Sequence, residues 1–503
     1  MHYPQVLYLT RQFLPCTSTS YVVYRGMQQN KSASGQVSNI TVPASWAVHE
    51  LAGLRLPDER LMKRAQLIMT QLGQRPGASV PQACGGWSGA KAAYRFLANE
   101  AVDPQRLLAA HTEATVGRMQ AHAVVLALQD TTTLNYSAHP QTRGLGPISN
   151  NRDKTLGLLL HSTLAVTVCG EPLGLLSAVA SARDPRQFGS SRQAQRRNRL
   201  PLAQKESQRW LDSLGVCQTL ALSSPNTTII NVADREGDIY ELMARALLPN
   251  QGRPVHVLVR SQHNRNVQDQ DQRLWKHLSR QPLAGTLTVR TPRQTGVASR
   301  VATLSIRFAS VMLQAPGLKE GQPPLRLWAV EARQEHPPKG CAAIHWRLLT
   351  TWPVTTAQEA IEKTQWYGQR WQIEVLHKTL KSGCQVERRQ LETAERLRRV
   401  LMLDLIVAWR VLQLRKAGRE TPDASAESFL DEAEWTVLWR HFNRGATPAP
   451  GPPTLREAAR WIGQLGGFLG RKSDGEPGPV VLWRGLQRLQ DMTQTWRLLN
   501  TCG

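Results

Sequence analysis

Three carboxylates stand out by type and placement. Asp130 closes the apolar run in LALQDTTTLNY, and Asp234 closes the one in IINVADREGDIY. An Asp at the C-terminal edge of a strand sits where α/β sheets place their ligands, although each taken singly also reads as an N-cap or turn aspartate. The third is Glu374, in WYGQRWQIEVLHKTLK, where Tyr367, Arg370, Glu374, Lys378 and Lys381 follow one another at helical steps of three or four. At ~100° per residue these five span roughly 80° of one helix, with Trp366, Ile373, Leu376 and Leu380 on a separate packing face. Ordinary i,i+4 pairing accounts for Arg370–Glu374 and Glu374–Lys378 as a solvated face. It leaves the tyrosine and the surplus of cations unexplained. His377, on the edge of the stripe, reads as a donor to a backbone phosphate or as a packed histidine, and the first is preferred.

Two Asp and one Glu offer only oxygen, the donor set of hard cations such as Mg2+ or Mn2+ that bind through a few carboxylates and substrate phosphates. Two such ions about 4 Å apart activate a water or a 3′-hydroxyl and stabilise the leaving oxygen of an in-line phosphoryl transfer. The neighbouring Arg and Lys suit a different task, holding a nucleic-acid backbone without reading its sequence.

The elements that must carry these residues follow from periodicity. AVVLALQD (123–130), the runs at 155–168 and 172–181, and NTTIINVAD (226–234) read as strands. The tract 156–181 is long enough to span a bilayer, but Gly170-Glu171-Pro172 divides it into two buried strands. A helix is expected over 235–248, several β-rich runs over 254–351, and one long helix over about 356–382. Helices are expected at 57–72, at 87–100 with Ser88 as N-cap, and at 102–119 with Pro104 in the first turn. More helices follow at 392–417 and 425–444, with ATPAPGPPT as a linker. The basic loop 183–209 contacts DNA or is a solvated insertion. The whole reads as a mixed α/β catalytic core with a helical region on each side.

Composition agrees with a polyanionic partner. The 503 residues carry 62 Lys and Arg against 38 Asp and Glu, a formal charge of +24. Such a surplus attracts nucleic acid or an anionic membrane surface, and no anchor or signal peptide is evident in the sequence. Seven widely spaced cysteines without a C-x-x-C pair fit a reducing cytoplasm, neither a disulfide framework nor a zinc site. With no G-x-x-x-x-G-K-[ST] or G-x-G-x-x-G, no nucleotide cofactor is expected.

Asp130-Thr-Thr, Asp234-Arg-Glu and Tyr367-x2-Arg370-x3-Glu374-x6-Lys381 resemble the DDE triad and Y-R-E-K signature of bacterial insertion-sequence transposases. The nearest group is the insertion-sequence-four family, which includes the Tn-five-type transposase, and the similarity runs from about Trp46 to the C-terminus. It implies an α/β fold: a ribonuclease-H-like catalytic core with an inserted antiparallel β subdomain, flanked by N-terminal and C-terminal helical regions. The domains would be 1–44, a flexible extension or mis-assigned start, and 45–121, a helical module for the transposon ends. The DDE domain would be 122–391, with the β insertion at about 250–352, and a helical dimerisation domain would fill 392–503.

Carried over residue by residue, the resemblance gives Asp130, Asp234 and Glu374 the two metal ions, and Tyr367, Arg370, Lys378 and Lys381 the transposon-end phosphates. Arg260, in LVRSQH, and Trp346, in IHWRLLTT, match family positions where the Trp stacks on a base flipped out near the cleaved end. On its own Trp346 reads as a core strand tryptophan. The implied function is cut-and-paste transposition by a cytoplasmic, nucleoid-associated homodimer that binds terminal inverted repeats and target DNA. The implied cofactor is Mg2+, replaceable by Mn2+, with two ions per site. The alternatives are a non-catalytic DNA-binding regulator and a metal nuclease without strand transfer.

Overall fold

The computed structural model describes residues 8–9, 46–149, 155–187, 200–268, 273–291, 300–316, 321–338, 340–444, 451–471 and 474–501. Most of the expected 1–44 extension, the centre of the basic loop 183–209 and part of the linker 446–454 fall outside them. The chain folds as two compact units. The first comprises residues 1–12, 112–378 and 390–395, and the second residues 13–111, 379–389 and 396–503.

The first unit is built on a sheet of eleven described strands. They are β1 (Tyr8–Leu9), β2 (Val124–Asn135), β3 (Gly146–Pro147), β4 (Leu156–Thr167), β5 (Pro172–Ser181), β6 (Thr228–Ala233), β7 (His256–Arg260), β8 (Gly285–Thr291), β9 (Arg300–Leu313), β10 (Leu325–Arg333) and β11 (His345–Thr350). β2, β4 and β5 form an antiparallel meander, and β6 and then β7 add parallel to β2. Strand order β5-β4-β2-β6-β7 is that of a ribonuclease-H-like core, and β8 to β11 continue the same sheet antiparallel beyond β7. Arg260, expected in the β insertion, therefore lies on a core strand. β4 is buried along nearly its whole length, which is why its sequence reads as an unbroken apolar run rather than an alternating one.

Hydrophobic residues from both ends of the sheet meet in one core. Met119, Val125, Ala127, Trp210, Leu214, Ile229, Val257, Leu327 and Leu349 all belong to it. After four described N-terminal helices the chain forms α5 (Pro104–Met119), α6 (Gln208–Leu222), α7 (Tyr240–Leu247) and α8 (Leu274–Ser279), and α6 supplies Trp210, Leu211, Leu214 and Cys217 to that core. The helix expected over 235–248 is interrupted. Residues Arg235–Gly237 form a 3-10 turn, and the α-helix starts only at Tyr240, after the extended Ile239.

In the second unit the two helical regions from either end of the sequence close on each other. α1 (Trp46–Glu50), α2 (Glu59–Gln74), α3 (Val80–Ala83) and α4 (Trp87–Ala98) come from the N-terminal side. Of the apolar face expected on α2, Ala65, Ile68, Met69 and Leu72 are buried and Leu61 is half-buried, and Asp58 caps the helix, its carboxylate accepting from Arg60 N–H at 2.8 Å. α4 begins at Trp87 with Gly86 as N-cap, so the expected cap Ser88 lies inside the helix. Arg399 donates to the carbonyls of Leu97 and Val102 at 2.9 and 2.7 Å, satisfying acceptors that the end of α4 leaves open. His111 stands against Glu50 and, edge-on, against Trp409. No helix among the described residues is long and apolar enough to cross a membrane.

Candidate active site

Sheet register brings the two aspartates together. β2 and β6 pair in parallel from Val124 with Thr228 to Leu128 with Val232. Asp130 and Asp234 each stand two residues past that last pair, so they lie side by side on one face. Asp234 does the local work that the bland reading assigned it, capping the 3-10 turn through Glu236 N–H at 2.8 Å. Asp130 does not: β2 runs past the expected strand end to Asn135, still paired with β4, and Asp130 accepts from Thr131 N–H at 2.8 Å within the strand. Capping occupies one carboxylate oxygen and leaves the other, so local and chemical roles coexist.

A buried network on the opposite face fixes the backbone beside Asp130. Gln129 donates to Asn231 across the strand pair, and its carbonyl oxygen lies 3.1 Å from His161 Nε2. The Thr131 hydroxyl is 2.8 Å from His161 Nδ1. Burial, with the charges of Arg209 and His377, pushes the His161 pKa down to about 3, so the ring is neutral. A neutral ring with Nε2–H donating to Gln129 and Nδ1 accepting from Thr131 satisfies the chain.

Glu374 arrives from the helical segment, which is not the single helix expected. It divides into α9 (Ala357–Gly368) and α10 (Trp371–Lys378), followed by a π turn at Thr379–Gly383. At the junction Gln369 and Arg370 make three-residue bonds back to Trp366 and Tyr367. Tightening there and loosening after Lys378 re-aim the side chains, a departure common at functional sites. The β4–β5 turn packs on the junction at Gly170, whose φ is +85°. A Cβ there would lie 2.2 Å from Gln369 Oε1.

At the centre lies Arg370. It pairs with Glu374, and its Nη1 is 3.6 Å from Asp130 Oδ2. Tyr367 is buried; burial raises its pKa, and the charges of Arg370 and Arg260 oppose the rise. Burial raises the Asp130 pKa to about 7, with Asp234 and Glu374 adding to the rise and Arg370 opposing it. Glu374 is raised for the same leading reason. Burial works against the Arg370 charge, yet Tyr367, Glu374, Asp130 and Asp234 together carry its pKa above the ordinary value. One guanidinium thus pairs with two carboxylates and feels the charge of a third.

The remaining predicted residues scatter. Lys378 is exposed at the end of α10. Arg260 is half-buried, donating to the His345 carbonyl at 3.1 Å. Trp346 is buried, its ring edge-on to Tyr367 with centroids 5.0 Å apart, so the core-strand reading describes its present surroundings. His377, preferred as a phosphate donor, is instead buried, with its Nε2 2.7 Å from the Ser162 hydroxyl. Ser162 pairs across from Asp130, so this bond pins α10 beside the aspartate. Lys381 lies on the π turn within the second unit, half-buried, its pKa lowered by burial.

Sequence reading missed Asp238. It is buried and accepts from Gln262 N–H, His263 N–H and Arg265, fixing the loop that follows Arg260. The signal was available as the second aspartate of Asp234-Arg-Glu-Gly-Asp238.

Among the described residues no three His, Cys, Asp or Glu side chains are arranged as a finished metal-ligand set. The chemistry of the site nonetheless fits a hard cation. It offers oxygen donors alone, and Asp234 and Glu374 add to the rise that burial gives Asp130. Asp130, Asp234 and Glu374 are the residues that would hold such an ion.

Three family models match in succession. "Transposase DNA-binding" matches residues 43–102, "Transposase DDE domain" residues 196–410 and "Transposase Tn5 dimerisation domain" residues 406–500. The chain belongs to the Tn5-type DDE transposases. It is an enzyme of the class that cleaves and joins DNA strands, and divalent metal ions are the general cofactor of that class. Asp234 and Glu374 fall inside the DDE match, whereas Asp130 lies upstream of it. The DNA-binding and dimerisation matches both fall in the second unit of this transposase. Among solved structures, a piggyBac transposase synaptic complex with hairpin DNA is similar over 75% of this chain and 72% of that chain, at 10% identity. Its TM-score of 0.33 is too low to carry an argument.

Proposed function

We propose that this transposase moves its element by cutting and pasting, with Asp130, Asp234 and Glu374 as its catalytic triad. The observation that carries the reading is the meeting of Asp130 and Glu374 on one arginine, with Asp234 beside Asp130 on the neighbouring strand's end. Two bound Mg2+ ions, or Mn2+ in their place, would activate the attacking hydroxyl and stabilise the leaving oxygen. Water nicks the transposon end, and the freed 3′-OH attacks the opposite strand to give a hairpin. A second water reopens the hairpin, and the 3′-OH then joins target DNA.

The protein's own groups bind and orient the strand. Arg370 and exposed Lys378 hold phosphates beside the carboxylates, Arg370 with a two-pronged fork and Lys378 as a point charge. Lys381 serves the same backbone. Tyr367 aims the Arg370 and Arg260 guanidiniums, and Trp346 stacks on an extruded base once its contact with Tyr367 opens. Residues 45–121 recognise the terminal inverted repeats, and the C-terminal helices pair two copies so that each core acts on the end its partner holds. The place of work is the bacterial cytoplasm, on the nucleoid.

The test incubates purified protein with DNA carrying the inverted repeats that flank its gene, in Mg2+ and in EDTA. Metal-dependent cleavage at the repeat boundary with a hairpin product is expected. Specific binding without cleavage in any divalent ion would point to a DNA-binding regulator. Cut products that never join target DNA would point to a plain nuclease.

A further inference from the structure

In the free chain the Arg370 guanidinium serves as counterion to the carboxylate cluster. Nη2 pairs with Glu374, and Nη1 lies 3.6 Å from Asp130. The Arg370 side chain is 10% exposed, so water does little to weaken these contacts. Two of the three triad carboxylates, Asp130 on β2 and Glu374 on α10, are thereby turned toward one arginine, and no finished ligand set exists among the described residues. A cation needs those same oxygens. The chemical group best able to draw the guanidinium away is a phosphate, which accepts the arginine fork through two parallel hydrogen bonds.

We infer that Arg370 is an interlock: it holds Asp130 and Glu374 until a DNA phosphate takes its guanidinium, which couples DNA binding to divalent-ion binding at this one site. The inference rests on the triad reading above and adds to it an order of events. Free protein holds the metal weakly and does not nick passing DNA, and a seated transposon end releases the oxygens. By linkage the effect is reciprocal: metal must tighten DNA binding by the same factor that DNA tightens metal binding.

The test is equilibrium binding of Mn2+, followed by its electron paramagnetic resonance signal, with and without an uncut inverted-repeat duplex. For the unaltered protein the duplex should tighten Mn2+ binding about tenfold, within the usual range of such couplings. For Arg370→Gln, Mn2+ should bind about tenfold more tightly than to the unaltered protein without DNA, and the duplex should add little. Arg370→Lys, which keeps the charge but not the fork, should fall between, and it replaces Arg370→Gln should that variant not fold. Equal Mn2+ affinity in the unaltered and variant proteins without DNA, or no effect of the duplex on the unaltered protein, would overturn the interlock. Glu374→Gln separates this from failure of the underlying reading. Mn2+ binding that survives Glu374→Gln would sink the triad itself, whatever Arg370 does.

Discussion

Two buried arginines in this molecule meet carboxylates in opposite ways. In the second unit Arg389 grips Asp404 end to end, with Nη2 at 2.7 Å and Nε at 3.1 Å from the two oxygens, and also donates to the Ala78 carbonyl. Both carboxylate oxygens meet the one fork, as a structural ion pair requires. In the first unit Arg370 must serve Glu374 and Asp130, with Asp234 also within electrostatic reach. Three carboxylates to one guanidinium is a poor structural arrangement and a good ligand set in waiting. The ratio, more than the burial, separates a strut from a site.

That contrast predicts different responses to the same truncation. Asp404→Ala strands Arg389 in the interior and should cost about 3–5 kcal/mol in denaturant unfolding. Glu374→Ala relieves crowding and should leave the unfolding midpoint unchanged or higher. Equal losses at the two positions would erase the distinction.

The next largest effect should depend on pH. The folded-state pKa of Asp130 is about 7, above its unfolded value of 3.8. Its ionised form therefore destabilises the metal-free fold, a penalty fully present above pH 7 and gone below the unfolded pKa. Asp130→Asn should raise the thermal midpoint at pH 8, and the gain should shrink as pH falls toward 4. A gain independent of pH would assign it to something other than charge.

Divalent ion should remove the imbalance directly. Mn2+ at 100 times its dissociation constant should stabilise the protein by about 2.7 kcal/mol, read as a shift in thermal midpoint. An equal shift in Asp234→Asn would contradict the ligand assignment. The smallest effect is expected at Ser162→Ala, which removes the bond to His377 and should cost about 1 kcal/mol, with a modest loss of cleavage as α10 loosens.

Much of this was legible in advance, and the failures have physical causes. Asp130 and Asp234 could be found because a strand's apolar run ends abruptly at each. The Glu374 segment could be found because its spacing is helical. Its break at Gln369–Arg370 could not, since tightening to three-residue bonds changes no residue type, and the β4–β5 turn packed there is remote in sequence. His377 was misplaced for a related reason. It lies on the edge of the stripe, where helical spacing alone leaves the facing open, and β4 meets its ring at Ser162. Closure of the N-terminal and C-terminal helices into one unit was hidden too, because it rests on long-range pairs such as Arg399 with Leu97 and Val102.

The most direct measurement of the central claim compares unaltered protein with Asp130→Asn, Asp234→Asn and Glu374→Gln on inverted-repeat DNA in Mg2+, scoring binding and strand cleavage on the same samples. All four should bind the DNA comparably, and only the unaltered protein should cut it. Cleavage at an undiminished rate by any one variant would contradict the account, because that carboxylate would then stand outside the site.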